Sequence, residues 1–265
     1  MREPSSDADA VVVTREAGVA TIWLNRPAKR NSVTYEMWGA IGDAVAALAT
    51  DPDVRVLVVT GAGEHFCAGA DISGLGARAP EDYGTQNRRA HDGLARFPKP
   101  TIAFVRGSCV GGGVQIAGAC DLRIADETSR FGITPARLGI VYQGYSVERI
   151  VQLIGPSATK HLLFSAELID ADRALRIGLV DEVHPVAVAA ERLDGLSAHL
   201  AAKRSLLTQM AAKEMVDEAA AGGIAAGTEQ RWQRIAADAS DLPEGIAAFL
   251  ERRDPQFGWT PSPAG

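Results

Sequence analysis

The sequence predicts an α/β fold built from repeated units of strand, glycine-rich loop and helix. Val54 to Thr60 and Thr101 to Val105 are short, β-branched and apolar runs, which are typical of buried strands in a parallel sheet. A loop of small residues follows each run and leads toward a helical pattern. The unit recurs after roughly 45–50 residues, and such a repeat indicates a spiral of similar turns.

The N-terminal part of the chain predicts two strands and a helix. Val11 to Thr14 and Val19 to Leu24 have strand character and are joined by a turn that ends in Gly18. Apolar residues then recur at helical spacing from Tyr35 to about Ala49. Thr34 directly precedes this pattern and is the predicted N-cap.

The chain divides into three predicted regions. Residues 1–10 are polar, and we expect them to be disordered. Residues 11–195 are the predicted α/β core, within which residues 73–97 are rich in Gly, Arg and Asp and are predicted to be a mobile flap or a solvated surface segment. Strand-like runs stop after Val183 to Pro185, and residues 196–265 are alanine-rich and predicted to be helical.

Composition and charge exclude several classes of protein. With 265 residues, of which 46% are apolar, the chain is long enough for one substantial core. The formal net charge of −6 argues against a nucleic-acid-binding protein, which usually carries a basic excess. No apolar run approaches the ~18 residues of a membrane span.

The three cysteines indicate a reducing compartment. Cys67, Cys109 and Cys120 lie among apolar or small residues, without a CxxC motif or a histidine spacing suited to zinc. We therefore expect buried, reduced thiols and a cytoplasmic protein. We also expect no metal and no permanently bound flavin or nicotinamide, because the sequence motifs for these groups do not occur.

Two loops of small residues carry the strongest functional signal. Gly61 to Ile72 follows one predicted strand, and Gly107 to Gln115 follows the next. Neither loop has the spacing of a dinucleotide fingerprint, a nucleophile elbow or a P-loop. Two such loops can direct the N–H groups of Ala70 and Gly112 at one point, and this arrangement is an oxyanion hole for a carbonyl oxygen. The pair therefore predicts ester or thioester chemistry.

These motifs resemble those of the crotonase (enoyl-CoA hydratase/isomerase) superfamily, over about residues 11 to 257. The matching segments are Leu24 to Pro27 with Asn31, Gly61 to Ile72, Gly107 to Gly113, Cys120 to Ala125, Phe131-Gly132 with Leu138-Gly139, Ala171 to Val180, and Glu244 to Ile246 with Phe249. The resemblance implies a spiral of ββα turns followed by a C-terminal α-helical trimerisation region, assembled as a homotrimer or a dimer of trimers. It also implies an acyl-CoA thioester substrate, whose enolate Ala70 and Gly112 would hold.

The resemblance further implies which residues contact coenzyme A, which enters as part of the substrate. These residues are Lys29, Arg30, Ala68, Ala70, Asp71 and Ile72. Lys29 and Arg30 match the segment that lies near the phosphates and adenine. As a sequence feature alone, this basic pair is also typical of a solvated turn.

Hydratases that this sequence resembles share two glutamates, which give and take the protons needed to add water across a double bond. The matching positions here hold Gln115 and Pro135. Gln115 is a candidate for orienting a water or a thioester, but an amide does not exchange protons near neutral pH. We therefore expect inefficient standard hydration, with decarboxylase-like or isomerase-like chemistry open.

The segment from Phe131 to Tyr142 is similar to the corresponding segment of methylmalonyl-CoA decarboxylases in the same superfamily. Loss of CO₂ generates an enolate directly, so that reaction needs no base. The similarity implies that Tyr142 binds the departing carboxylate or steers protonation of carbon, and the alternative is that Tyr142 lines the acyl pocket. Tyr145 and Glu148 are further candidates for an acid or a base.

Two histidines near these motifs are predicted to face solvent. His65 directly precedes the inward-facing Phe66, and His91 lies in the segment 73–97. A function of a different class also stays open, namely a non-catalytic acyl-CoA-binding or carrier protein. The replaced glutamates favour that alternative, and the two intact glycine loops argue against it.

Overall fold

The computed structural model describes residues 2–5, 8–74 and 80–261, which form two β-sheets surrounded by helices. The strands of this part of the chain are β1 (Val11–Glu16), β2 (Val19–Leu24), β3 (Val56–Gly61), β4 (Thr101–Val105), β5 (Ser108–Val110), β6 (Leu122–Asp126), β7 (Arg130–Gly132), β8 (Ile169–Asp170) and β9 (Glu182–His184). Its α-helices are α1 (Tyr35–Thr50), α2 (Pro80–Ala95), α3 (Gly112–Ala119), α4 (Gly144–Ser165), α5 (Ala171–Arg176), α6 (Val186–Lys203), α7 (Leu206–Ala220), α8 (Thr228–Asp238) and α9 (Asp241–Glu251).

Strands β1 to β4 all lie in the larger sheet, and from β4 to β7 the chain alternates between the two sheets. The larger sheet has the order β1-β2-β3-β4-β6-β9 and is parallel except for the β1–β2 hairpin. The smaller sheet has the order β5-β7-β8. The turns β4-β5-α3 and β6-β7-α4 each place one strand in each sheet before a helix. The predicted α/β spiral of ββα turns is confirmed.

Both faces of the larger sheet are buried, which explains the continuous apolar runs of its strands. Leu57 and Val59 on β3 face the core beneath α1 and α3. Val56 and Val58 alternate with them and pack against the opposite core, to which α6 contributes Leu193. Every residue of β3 is buried, so the β-branched pattern of this strand reports burial on two sides.

Helix α1 begins where the sequence predicts. The Thr34 side chain accepts a hydrogen bond from the backbone N–H of Met37, and the first turn carries Glu36. This cap satisfies one of the amides that a helix start leaves without an intrahelical partner. The apolar stripe of α1, which includes Trp38 and Ile41, packs into the core.

The prediction that residues 73–97 form a mobile flap or a solvated surface segment is wrong for most of that length, because α2 spans Pro80–Ala95 and buries part of its surface. Residues 75–79 of that segment lie outside the described residues. Among the side chains of α2 that the structure describes, those of residues 84–95, the buried ones are Asn87, Ala90, His91 and Leu94, at helical spacing. Two of these four positions are polar, so a hydrophobic pattern does not reveal the helix. His91 is 5% exposed, and its predicted surface position is also wrong.

The C-terminal helices contact the sheet region through both apolar and charged groups. Helix α6 runs without interruption through residue 195, and its Leu193 and Ala201 pack on the sheet. On α7, the Lys213 ammonium donates to the Asp121 carboxylate at 2.8 Å and to the Lys99 carbonyl at 3.3 Å. The assignment of residues 11–195 to a core and residues 196–265 to a separate region stays a prediction. No helix in the described part of the chain is long and apolar enough to cross a membrane.

The two glycine-rich loops approach each other closely at Gly113. A Cβ at this position would sit 2.6 Å from the Cys67 carbonyl oxygen and 3.1 Å from the Cys67 Cβ. The obstructing atom is backbone, so it cannot move aside as the end of a flexible side chain can. Glycine at 113 is therefore required by the contact between the two loops.

We expect Gly113→Ala to destabilise the fold by about 1–3 kcal/mol, the usual cost of forcing an extra group into a packed core. Gly195→Ala is the matched control, because Gly195 lies within α6 and an added Cβ there meets no atom within 4 Å. Alanine at 195 should stabilise by about 0.5–1 kcal/mol, since it restricts the unfolded chain. Urea denaturation measures both values. Equal free energies of unfolding for the two variants would contradict the crowding argument.

Candidate active site

Two loops cross at the carboxyl ends of β3 and β4, and backbone hydrogen bonds join them. Phe66 N–H donates to the Arg106 carbonyl at 2.7 Å, and Cys67 N–H donates to the Ser108 carbonyl at 2.8 Å. In addition, Val110 N–H donates to the Cys67 carbonyl at 2.9 Å. The relative position of the loops is therefore set by main chain.

His65 belongs to this junction, contrary to the prediction that it faces solvent. Its Nδ1 accepts a hydrogen bond from the backbone N–H of Ser108 at 3.1 Å. The buried Asn31 adds a second connection, because its amide donates to the carbonyls of Ala62 and His65 at 2.8 and 2.6 Å. Both side chains tie the first loop in place and leave its peptide groups fixed.

The Ala70 N–H group points away from Val33, to which the flanking residues Gly69 and Asp71 are hydrogen-bonded. Val33 N–H donates to the Gly69 carbonyl at 2.8 Å, and Asp71 N–H donates to the Val33 carbonyl at 2.9 Å. Because peptide groups alternate in direction along an extended segment, the amide of Ala70 faces the opposite side. Among the described residues it has no hydrogen-bond partner.

Gly112 begins α3 and also has a backbone N–H group without a partner in the described part of the chain. The preceding Gly111 has φ 52°, a left-handed conformation that glycine adopts without strain. A Cβ at Gly112 would lie 3.4 Å from the Ala70 nitrogen and 3.2 Å from Trp38 Cζ2. The two amides therefore lie close together at the positive end of α3, in the arrangement of an oxyanion hole.

Asp71 anchors the loop that carries Ala70. Its carboxylate accepts hydrogen bonds from the Ser73 hydroxyl at 2.6 Å, the Ser73 N–H at 3.1 Å and the Arg26 guanidinium at 2.9 Å. The Ser73 and Arg26 hydrogen bonds lower the pKa of Asp71 to about 2. The group is therefore a fixed anion near neutral pH and not a proton carrier.

The residues predicted to contact coenzyme A lie on one connected surface. Lys29 and Arg30 are exposed on a short 3₁₀ turn, and the Arg30 carbonyl accepts a hydrogen bond from Ala68 N–H at 2.9 Å. Ala68 leads directly to Ala70 and Asp71, and the Ile72 side chain is 63% exposed beyond them. The basic turn thus adjoins the loop that carries Ala70.

The Gln115 amide is buried, 4% exposed, and occupied by protein partners. Its Oε1 accepts a hydrogen bond from Asn87 Nδ2 at 3.1 Å. Its Nε2 donates to Gln143 Oε1 and to Ser146 Oγ, both at 2.9 Å. Both amide protons of Gln115 are used in this way, and the network around it contains no carboxylate among the described residues. Gln115 thus links α2, α3 and α4.

Tyr142 and Tyr145 have different partners in the site. The Tyr142 hydroxyl donates to the Gly111 carbonyl at 3.0 Å, one residue before the Gly112 amide. Burial raises the pKa of Tyr142 well above its ordinary value, so the group is neutral across the usual pH range. The Tyr145 hydroxyl donates to Asn87 Oδ1, which connects it to the network of Gln115.

His91 packs on Tyr145, with ring centroids 4.8 Å apart. Burial lowers the pKa of His91, so the imidazole is neutral near pH 7. The Arg88 guanidinium lies over the Tyr145 ring, 5.4 Å from its centroid, and pairs with the Asp92 carboxylate. Glu148 is exposed, and no hydrogen bond joins it to the network in the described part of the chain.

Pro135 begins a short 3₁₀ turn, Pro135–Arg137. The residues that follow are exposed apolar side chains, of which Val141 is 90% exposed. Cys67 belongs to the first loop, and burial of its thiol raises the pKa to about 12. Neither position supplies a proton-transfer group or a thiolate at neutral pH.

Sequence reasoning missed Asn87, Gln143 and Ser146 as members of the site. Asn87 lies in the segment that composition marks as irregular. Gln143 and Ser146 lie at the start of α4, in the stretch after Tyr142. Asn87 and His91 are polar residues at two buried positions of α2. Their burial would have indicated a polar network, but it becomes visible only in the structure.

Known proteins share both this sequence pattern and this fold. Residues 14–260 match the model of the enoyl-CoA hydratase/isomerase family. A crotonyl-CoA hydratase of Syntrophomonas wolfei is 33% identical over 258 residues, which cover 93% of this chain and 97% of the relative. A 2,3-dehydroadipyl-CoA hydratase of Escherichia coli is 34% identical over 253 residues, which cover 93% and 98%. A solved enoyl-CoA hydratase/carnithine racemase from Magnetospirillum magneticum superposes with a TM-score of 0.90 at 28% identity, over 95% of this chain and 96% of that one. With these matches over nearly its full length, the chain belongs to the enoyl-CoA hydratase/isomerase family.

Proposed function

We propose that this protein is an enzyme that acts on an acyl-CoA thioester and holds the enolate oxygen between the amides of Ala70 and Gly112. Within that class, we propose decarboxylation of a carboxylated acyl group in preference to addition of water. The observation that carries this proposal is the neutral, fully hydrogen-bonded Gln115 amide beside the hole. Water addition needs an acid and a base in the site, and Pro135 supplies neither.

The proposed reaction balances without an added oxidant or reductant. The bond between the α-carbon and the carboxylate breaks, and CO₂ leaves. The electron pair of that bond moves into the thioester and forms the enolate, whose oxygen charge Ala70 and Gly112 stabilise. A proton from water then adds to the α-carbon, and the hydroxide left behind combines with the released CO₂ to give bicarbonate. The protein therefore needs preorganised donors for the enolate and controlled access of one proton.

Binding of the coenzyme A part is proposed along the surface formed by Lys29, Arg30 and Ala68 to Ile72. Lys29 and Arg30 are exposed cations next to the loop of Ala70, and phosphates are their natural partners. The coenzyme enters and leaves with the acyl group, so we propose no permanently bound cofactor. A cytoplasmic location is proposed from the buried, reduced cysteines.

A homotrimer or a dimer of trimers is the proposed assembly. Helix α9 exposes one apolar face, formed by Leu242, Ile246, Phe249 and Leu250. Four large apolar side chains on one helix are more than a monomer usually leaves in water. Sedimentation equilibrium measures the mass of the assembly.

A non-catalytic acyl-CoA carrier is the second candidate function. The observation in its favour is that no carboxylate takes part in the hydrogen-bond network of Gln115 in the described part of the chain. The paired amides argue against it, because simple binding does not need donors aimed at one carbonyl oxygen. The two candidates differ in whether the acyl group changes.

Incubation with a panel of thioesters in D₂O, followed by mass spectrometry, tests the proposal. The panel contains enoyl-CoAs of two lengths, methylmalonyl-CoA and propionyl-CoA. We expect methylmalonyl-CoA to lose CO₂ and take up one deuterium. Gain of water by an enoyl-CoA would contradict the preference for decarboxylation, and positional isomerisation with deuterium uptake alone would favour isomerase-like chemistry. Binding of the panel without any change would favour the carrier.

We expect Gly112→Pro to lower kcat by about 10²–10³, the usual effect of removing one oxyanion donor. Proline is tolerated in the first turn of a helix, so α3 should still form. Gly112→Ala is the matched control, because it adds the same Cβ near Trp38 but keeps the N–H group. Steady-state kinetics compare the two. An equal loss in both variants would assign the effect to crowding and contradict the donor role.

We expect Tyr142→Phe to lower the free energy of unfolding by about 1 kcal/mol, because the hydrogen bond to Gly111 is lost. Turnover should fall as the Gly112 amide becomes less well positioned, while the shape of the pH–rate profile stays unchanged. The reason is that the hydroxyl is neutral throughout the usual pH range. A profile that loses one of its limbs in the phenylalanine variant would instead assign proton transfer to Tyr142.

A further inference from the structure

We infer that Gln143 and Ser146 determine specificity by donating hydrogen bonds to a carboxylate on the acyl group of the substrate. The inference rests on the proposed function, since it concerns the acyl group of the thioester held by Ala70 and Gly112. It follows from the direction of a chain of hydrogen bonds that crosses three helices.

The hydrogen bonds of the network run in one direction. The Tyr145 hydroxyl donates to Asn87 Oδ1, and Asn87 Nδ2 donates to Gln115 Oε1. Gln115 Nε2 then donates to Gln143 Oε1 and Ser146 Oγ. Each amide accepts at its oxygen and donates at its nitrogen, so the orientation of one member fixes the orientation of the next.

The network therefore ends in hydrogen-bond donors. Gln143 presents its oxygen to Gln115, so its NH₂ group faces away from the network. That NH₂ group has no partner among the described residues, and the side chain is half-buried. Ser146 is 1% exposed and accepts from Gln115, which leaves its hydroxyl proton for another acceptor.

These donors lie next to the oxyanion hole. Gln115 N–H donates to the Gly111 carbonyl at 3.1 Å, and the Tyr142 hydroxyl donates to the same carbonyl. Gln143 follows Tyr142 and precedes the first residue of α4. The Gly111 carbonyl and the Gly112 N–H belong to the same peptide group, so the end of the network is held at the first turn of α3. The proposal places the acyl group of a bound thioester along this turn.

The surrounding charges favour an anion. Gln143 is the N-cap of α4, where the helix dipole is positive. Arg88 lies over Tyr145, and Arg149 donates to the carbonyls of Gly118 and Cys120 at 2.9 and 3.4 Å. The carboxylate of Asp92 pairs with Arg88 and contacts His91, and no carboxylate joins the network in the described part of the chain.

A carboxylate matches this set of groups better than an alkyl chain does. It accepts charge-assisted hydrogen bonds from both the Gln143 amide and the Ser146 hydroxyl. An alkyl group in the same place would leave two donors without partners after water is displaced. We therefore expect carboxylated acyl groups to bind about 10- to 100-fold more tightly than the alkyl equivalents, the usual range for hydrogen bonds to a charged group.

Gln143→Glu tests the inference, because glutamate still accepts from Gln115 Nε2 but replaces the outward NH₂ group with an oxygen. The ligands are methylmalonyl-CoA and propionyl-CoA, which differ by the carboxylate. We expect a 10- to 100-fold rise in KM or Kd for methylmalonyl-CoA and an unchanged Kd for propionyl-CoA. Gln152→Glu is the control, since it adds the same charge at an exposed position of the same helix and should change neither value.

The outcomes separate this inference from the proposed function. Turnover of methylmalonyl-CoA with the same KM in wild type and Gln143→Glu would overturn the inference and leave the proposed reaction standing. If the wild type binds methylmalonyl-CoA more tightly than propionyl-CoA, Gln143→Glu loses this difference, and neither thioester is turned over, the inference is supported and the proposed reaction is overturned. Equal affinity of the wild type for both thioesters overturns the inference. The inference is also overturned if the wild type binds 3-hydroxybutyryl-CoA more tightly than methylmalonyl-CoA. In that case the network would run in the opposite direction and present a hydrogen-bond acceptor to the 3-hydroxyl group.

Discussion

The backbone contact between the two glycine loops is the constraint on which the candidate site depends. The Cys67 peptide group bonds to the second loop on both sides, through Ser108 and Val110. A side chain at Gly113 would collide with the Cys67 carbonyl. The amides of Ala70 and Gly112 are therefore positioned by main chain that has no freedom to move apart. Donors held in this way stabilise developing charge without reorganisation during the reaction.

The rest of the fold holds these loops and the helix that follows them. The parallel strands β3 and β4 deliver both loops to the same edge of the sheet, since parallel strands end on the same side. Asn31 and His65 then bind loop backbone, and Asp71 pairs with Arg26. Because burial makes the nearby Cys67 thiol neutral, the loop junction carries donors and no competing nucleophile. A rigid backbone and a neutral thiol at the loop junction are both consistent with the proposed role of these amides in stabilising charge.

Much of this arrangement could be predicted from the sequence, because local patterns determine it. The β-branched runs predicted β3 and β4, and Thr34 predicted the start of α1. The glycine loops predicted that two amides could converge. Helix α2 could not be predicted, because Asn87 and His91 occupy core positions that usually hold apolar residues. Their burial depends on polar partners from α3 and α4, and the hydrogen bonds of Gln115 to Asn87 and to Gln143 each span 28 residues of sequence.

The same network explains why an amide suits position 115, where related hydratases are expected to carry one of their two glutamates. A carboxylate at position 115 would be an anion with two bound donors in a buried site, and it would repel a negatively charged acyl group at close range. The Gln115 amide is neutral, so that repulsion is absent. It accepts a hydrogen bond from Asn87 and donates one to Gln143, which fixes the orientation of the Gln143 amide. In the proposed function the replacement has two effects that agree, since it removes the base that hydration needs and aligns donors toward the proposed anionic acyl group. This organisation is the basis of the proposed reaction, in which the substrate's own negative charge leaves as CO₂ and backbone amides hold the remaining electron pair.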